Sequence, residues 1–177
     1  HGPYAKDLAI QDGYPSVWEN FSSEHPEAVE GSSNIHQSWE VVDPEQWVPD
    51  GYACVRVDSR GAGRSPGYID HWSPRETEDF AACIEWAGAQ DWSNGKGGLT
   101  GISYYAVTQW QVAALRPKHL AAMCIWEGFS DFYREFSHHG GIYTSFIDNW
   151  YRLQIKTVQH GVGTRGHKSR VTGELAA

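Results

Sequence analysis

The sequence predicts an α/β fold, with a mostly parallel sheet first and the start of a helical region after it. Two short apolar runs, Tyr52–Val57 (YACVRV) and Leu120–Trp126 (LAAMCIW), read as buried strands, and Gly97–Gly101 (GGLTG) between them reads as a short strand. Helical patterns fall between them, and strand–helix–strand–helix–strand is the alternation that builds parallel sheets with right-handed crossovers. After Gly128 the pattern turns helical, which places a boundary near residue 130 and divides the chain into 1–130 and 131–177.

Residues 1–50 scatter Gly, Pro, Ser and Asn among single aromatics, and only Pro44–Val48 reads as a short helix, stopped by Pro49-Asp50-Gly51. The strand at Tyr52–Val57 runs into a Gly-rich loop, Asp58–Gly67. Ser73-Pro74-Arg75-Glu76 then has the form of a helix start: a capping serine, proline in the first turn, and glutamate three residues after the cap. Phe80, Cys83, Ile84 and Ala87 give that helix its apolar stripe as far as about Gln90. The second helix, Tyr104–Arg116, is stopped by Pro117. Asp131–Ser137 and Tyr143–His160 read as amphipathic helices with no strand between them, and the tail after Gly161 reads as mobile.

Composition limits the function classes. The chain has 177 residues, 40% hydrophobic and 20% charged, the balance of a one-domain globular protein. A net charge of −8 without a basic cluster argues against nucleic-acid or anionic-membrane partners. No apolar run approaches the ~18 residues of a membrane span. Cys54, Cys83 and Cys124 are odd in number and widely spaced, so they read as reduced core thiols rather than a disulfide or zinc framework. The compartment stays open, with the cytoplasm favoured.

The chemistry centres on Leu99–Thr108 (LTGISYYAVT), which nearly spells G-x-S-x-G but carries Tyr105 at the second glycine. That motif holds a nucleophilic serine on a tight strand-to-helix turn, where the helix N-terminus offers unpaired N–H groups to an oxyanion. Ser103 follows a predicted strand and precedes a predicted helix; the alternative is a plain N-capping serine. Gly61 and Gly63 could suggest a phosphate cradle, but the loop lacks the Lys-Ser/Thr ending of a P-loop.

The order PYAKD (Pro3–Asp7), DGYACVRVDSRGAGRSPG (Asp50–Gly67) and GISYYAVTQWQ (Gly101–Gln111) resembles the CocE/NonD hydrolases, the cocaine-esterase and X-Pro dipeptidyl-peptidase group of α/β-hydrolases. Gly101, Ser103, Tyr104 and Thr108-Gln109-Trp110 match the group's pattern around the nucleophile, and Ala106 stands where it usually has glycine. The resemblance implies an α/β-hydrolase core in residues 1–130, with its first strands and late catalytic segments absent, and the start of a helical cap in 131–177. It implies Ser103 as the acylated nucleophile, the Tyr104 backbone N–H as one oxyanion donor and the Tyr4 hydroxyl as the other. Asp58 and Arg60 would organise their turn. No cofactor or metal is implied, and the partner would be a small ester, amide or peptide.

A serine hydrolase also needs a histidine base and an acid. The resemblance places both after the cap, so the 177 residues are expected to be an internal piece of a larger hydrolase. A local substitute, Asp131 or Asp148 with His160 or His167, has the right chain order but nothing in the sequence brings it to Ser103. His138-His139 lacks a further ligand at metal spacing. Three functions follow: an esterase or acylase first, an X-Pro dipeptidyl peptidase second, and, in another class, a non-catalytic module retaining the hydrolase fold.

Overall fold

A computed structural model describes residues 1–177. Its centre is a parallel pair of strands, β1 (Gly97–Ile102) and β2 (Leu120–Trp126), joined by the helix Tyr104–Ala114. The register runs from Gly98 opposite Ala122 to Ile102 opposite Trp126. The connecting helix stops two residues before the predicted end, because Arg116 turns left-handed (φ 53) ahead of Pro117. The helix Pro74–Gly88 packs on this unit, burying Phe80 and Ile84 against Val112 with Leu99 and Leu120 at the margin. Ser73 caps it as predicted, its Oγ accepting from the Glu76 N–H at 3.1 Å.

The predicted strand Tyr52–Val57 does not form as a buried strand. Tyr52 and Val55 are exposed, and pairing is confined to a bridge between Gly2 and Asp58 at its end. Apolar, β-prone residues signal strand burial only where a neighbouring strand covers them. The same reason corrects β2, which forms over the predicted residues but pairs only with β1 and keeps most side chains exposed. The thiols are free, but not core residues: Cys54 and Cys83 are half-buried and Cys124, on β2, is exposed.

The first fifty residues hold more helix than the sequence predicts. We number the helices in chain order: α1 is Ile10–Gly13, α2 is Pro15–Glu24 and α3 is Pro44–Trp47, so Pro74–Gly88 is α4 and Tyr104–Ala114 is α5. α2 begins with Pro15 in its first turn and buries no side chain, so no apolar stripe announces it.

Beyond residue 130 the predicted helices break up. Phe132–Ser137 is one wide π-helical turn, capped by Asp131. A two-residue antiparallel hairpin, β3 (His138–His139) with β4 (Ile142–Tyr143), stands where no strand is predicted; Gly140 and Gly141 make its turn with φ of 62° and 83°. The predicted helix Tyr143–His160 is α6 (Phe146–Trp150), a π turn (Tyr151–Ile155) and a 3₁₀ turn (Lys156–Val158). The wide turn has a packing reason: an i→i+5 turn brings Ile155 to the face of Trp150, and both join Tyr4 and Tyr104 in one buried cluster. Nor does the tail hang free. Arg170 grips Asp12 through two bonds of 2.6 and 2.7 Å, and Ala176 is buried with Ala5, Leu8 and Val158. No helix is long and apolar enough to cross a membrane.

Candidate active site

β1 delivers Ser103 to the top of the β1–α5 turn with φ 56° and ψ −114°. A non-glycine residue in this region is strained by about 1–3 kcal/mol and persists only where its surroundings impose it. Three features do so. The Ser103 N–H bonds the Trp126 carbonyl at 3.0 Å, extending the ladder one residue past β1. The Ser103 carbonyl accepts from Ala106 and Val107 at 2.9 and 3.0 Å, which starts the helix. Gly101 lets Tyr105 fold back over the turn, since a Cβ there would lie 2.3 Å from Tyr105 Cβ. Ser103 makes no side-chain capping bond, so it is not a plain N-cap serine. Ala106 is fully buried and faces Gly128, whose missing side chain leaves room for its methyl.

Tyr104, the first residue of α5, is buried at 1% exposure and directs its backbone N–H into the orphan set at the helix start. Its phenol donates to the Glu76 carboxylate, with oxygens at 2.6 and 2.8 Å. Burial and that carboxylate hold the phenol far above its ordinary pKa, so it stays protonated. His71 Nδ1 lies 3.0 Å from the same hydroxyl. Because the phenol's own proton serves Glu76, this nitrogen is the protonated one and donates. Burial lowers the imidazole to about 4, so His71 is neutral at pH 7, and its Nε2 is buried without a partner.

Tyr4 is brought to the same place. Its ring meets Tyr104 and Tyr105 edge-on, with centroids 5.9 and 5.6 Å away, so it lies against the two residues that follow Ser103. Its hydroxyl accepts from Trp150 Nε1 at 2.9 Å, which leaves the hydroxyl proton free to be donated. Burial raises the phenol's pKa. Nearby, burial pushes the Glu40 carboxyl up to about 7.

The Asp58–Gly67 loop is held by its own charges. The buried Asp58 carboxylate accepts from the Lys6 and Arg64 backbone N–H groups at 2.6 and 3.0 Å. Gly63 has no Cβ because one would sit 2.3 Å from that carboxylate. Arg60 makes a two-pronged pair with Asp79 of α4, at 2.9 and 2.7 Å.

None of the local acid–base alternatives, Asp131, Asp148, His160 or His167, hydrogen-bonds the Ser103 hydroxyl. Asp131 pairs with Arg134, Asp148 accepts from Tyr143, and His160 Nδ1 lies on the Gly63 carbonyl. His138 stacks on Tyr133 at 4.5 Å, and His139 bonds the Glu135 carbonyl. In the sequence Glu76 stands only as half of a capping box. Its carboxylate in fact takes the Trp72 N–H at 2.7 Å, one residue before the cap, and reaches across to Tyr104. Trp150 and His71 carried no signal at all, because their partners lie 146 and 33 residues away in the chain.

Known proteins resemble this chain in sequence and fold. A CocE/NonD family hydrolase from Staphylococcus aureus superposes with a TM-score of 0.72 at 41% identity, covering 86% of this chain and 26% of that one. The strand–turn–helix unit is accordingly part of an α/β-hydrolase fold. Cocaine esterase from a Rhodococcus species is 36% identical over 90 residues, half of this chain and 15% of that protein. Xaa-Pro dipeptidyl-peptidase from Lactobacillus helveticus is 30% identical over 111 residues, 54% of this chain and 14% of that protein. The chain thus spans about one seventh of the length of these two curated relatives. The family model described as X-Pro dipeptidyl-peptidase (S15 family) matches residues 9–172, which takes in the elbow, its supporting loop and the helical run. The chain belongs to the S15 family of X-Pro dipeptidyl-peptidases.

Proposed function

We propose that Ser103 is the nucleophile of a serine hydrolase that cleaves ester or amide bonds through an acyl-enzyme. The observation that carries this reading is the left-handed backbone of Ser103 at a strand–helix junction, with its side chain uncommitted to the helix. In the reaction, Oγ attacks the substrate carbonyl carbon while its proton passes to a base, and the carbonyl π pair becomes an oxyanion. The Tyr104 N–H and the Tyr4 hydroxyl donate to that oxyanion. Its collapse expels the alcohol or amine, which leaves with the proton, and water then releases the acid by the same route. We further propose that the base and its orienting acid lie outside these 177 residues, since the site's own histidine, His71, is spent on Tyr104. The boundary near residue 130 then separates the hydrolase core from the start of a cap.

An esterase or acylase is the first reading, supported by the cocaine esterase among the relatives. An X-Pro dipeptidyl peptidase is the second, supported by the family's description and by the Lactobacillus helveticus relative. The test is a fluorophosphonate probe on the full-length polypeptide. Labelling at Ser103, lost in Ser103→Ala, is expected; an unlabelled Ser103 overturns the reading.

A further inference from the structure

Glu76 is the one buried acid that ties the elbow to its surroundings. At 7% exposure, on the first turn of α4, its carboxylate accepts from three separate segments. One oxygen takes Ser59 Oγ at 2.6 Å, the other takes the Trp72 N–H at 2.7 Å, and both lie within bonding distance of the Tyr104 hydroxyl. A carboxylate has about four lone-pair sites, so all of these donors can be met at once. Bonds to an ionised acceptor inside a protein are about twice as strong as neutral ones.

Each segment bears on the proposed oxyanion hole. Tyr104 is the residue whose N–H would donate, so a fixed phenol fixes the ring, and through it the first turn of α5. Ser59 gives its N–H to the Gly2 carbonyl at 2.8 Å, two residues before Tyr4. Trp72 is itself left-handed (φ 53) and stacks on Tyr104 with centroids 4.6 Å apart. One carboxylate therefore restrains Tyr104 directly and Tyr4 through the chain that leads to it.

Accepting the hydrolase reading above, on which this rests, we infer that Glu76 is a positioning residue for the oxyanion hole, acting through the Tyr104 phenol. It touches no reacting atom. Its work is to hold the Tyr104 N–H and the Tyr4 hydroxyl at the geometry that an oxyanion requires, where errors of about 1 Å cost as much as two orders of magnitude in rate. A residue that acts this way lowers kcat and spares KM, because the neutral carbonyl of bound substrate needs the donors less than the oxyanion does.

The experiment uses the full-length polypeptide with a p-nitrophenyl ester, rates being expressed per Ser103 titrated by fluorophosphonate. Tyr104→Phe keeps the ring in its cluster and removes the link to Glu76, together with the acceptor of the His71 N–H. Glu76→Gln keeps the volume but offers an amide N–H where Ser59 or Trp72 needs an acceptor. Each is expected to lower kcat about ten- to hundredfold with KM within threefold, and the double variant to lose no more than the worse single. Were Glu76→Gln not to fold, Tyr104→Phe decides alone. Titrated variants with parental kcat overturn the Glu76 assignment and leave the hydrolase reading standing. A parent whose Ser103 neither labels nor turns over ester overturns the hydrolase reading, and this inference with it.

Discussion

Gly101 and Tyr105 share one space: a Cβ on the glycine would lie 2.3 Å from the tyrosine's Cβ and 3.1 Å from its carbonyl oxygen. Tyr105 has no other place to go, since its ring also fills the gap left by Gly2, where a Cβ would come within 2.4 Å of it. The first glycine of the motif is therefore a packing requirement of the turn. Gly101→Ala should destabilise the protein by about 1–3 kcal/mol through overpacking and abolish fluorophosphonate labelling of Ser103. A thermal melt and the labelling assay check both; a variant that melts and labels as the parent does would show that the turn has slack.

Strain at Ser103 predicts an inverted ranking of two small substitutions. Ser103→Ala keeps the left-handed conformation (φ 56, ψ −114) and its strain. Ser103→Gly relieves strain worth about 1–3 kcal/mol and gives back roughly 0.5–1 kcal/mol in chain entropy. The glycine variant should thus be the more stable by about 1 kcal/mol, read as a higher urea midpoint. Equal midpoints would mean that the turn stores nothing.

How much of this was legible in the sequence depends on how far apart the partners are. The separate strands and helix of the β1–α5–β2 unit and the capped start of α4 are each signalled by residues within a few positions, and the sequence shows them. Ser103 is legible because its motif is local. Glu76 bonding Tyr104 and Trp150 bonding Tyr4 are pairings across 28 and 146 residues, which no periodicity records. Tyr52–Val57 failed differently: its composition predicts burial, but burial depends on a covering strand that the run itself does not specify.

The Tyr4 hydroxyl accepts from the Trp150 indole, so its removal should register twice. Tyr4→Phe strands a buried N–H, at a cost of about 1–3 kcal/mol in stability. If the hydroxyl is an oxyanion donor, kcat should also fall by about 10²–10³ while KM holds. Equilibrium unfolding and steady-state ester hydrolysis separate the two effects. A stability loss with kcat intact would confine Tyr4 to packing.

Two half-buried groups near the site shift stability with pH in opposite directions. Between about pH 4 and 6.5 the unfolded His71 takes a proton that the folded one refuses, so its share of stability falls as pH falls. Glu40, held near 7, keeps between 4.5 and 7 a proton that its unfolded form releases, so its share falls as pH rises. The two slopes oppose between about 4.5 and 6.5. His71→Gln should therefore leave a protein that loses stability as pH rises through that window, and Glu40→Gln one that gains it. Each change is on the order of 2 kcal/mol. Urea midpoints at pH 4.5, 5.5 and 6.5 test this; three parallel curves would refute it.

Ala106 and Gly128 divide one fixed volume. A side chain at 128 would begin 3.2 Å from the Ala106 methyl and 3.3 Å from Ile125 Cγ2, so the helix's extra carbon is matched by a missing one on the loop after β2. A chain with glycine at 106 has room for alanine at 128. The two sites should therefore drift together during evolution, each admitting its methyl only where the other gives its own up. Among relatives, a correlated exchange at these two columns would be the historical trace of a contact that either sequence read alone leaves invisible.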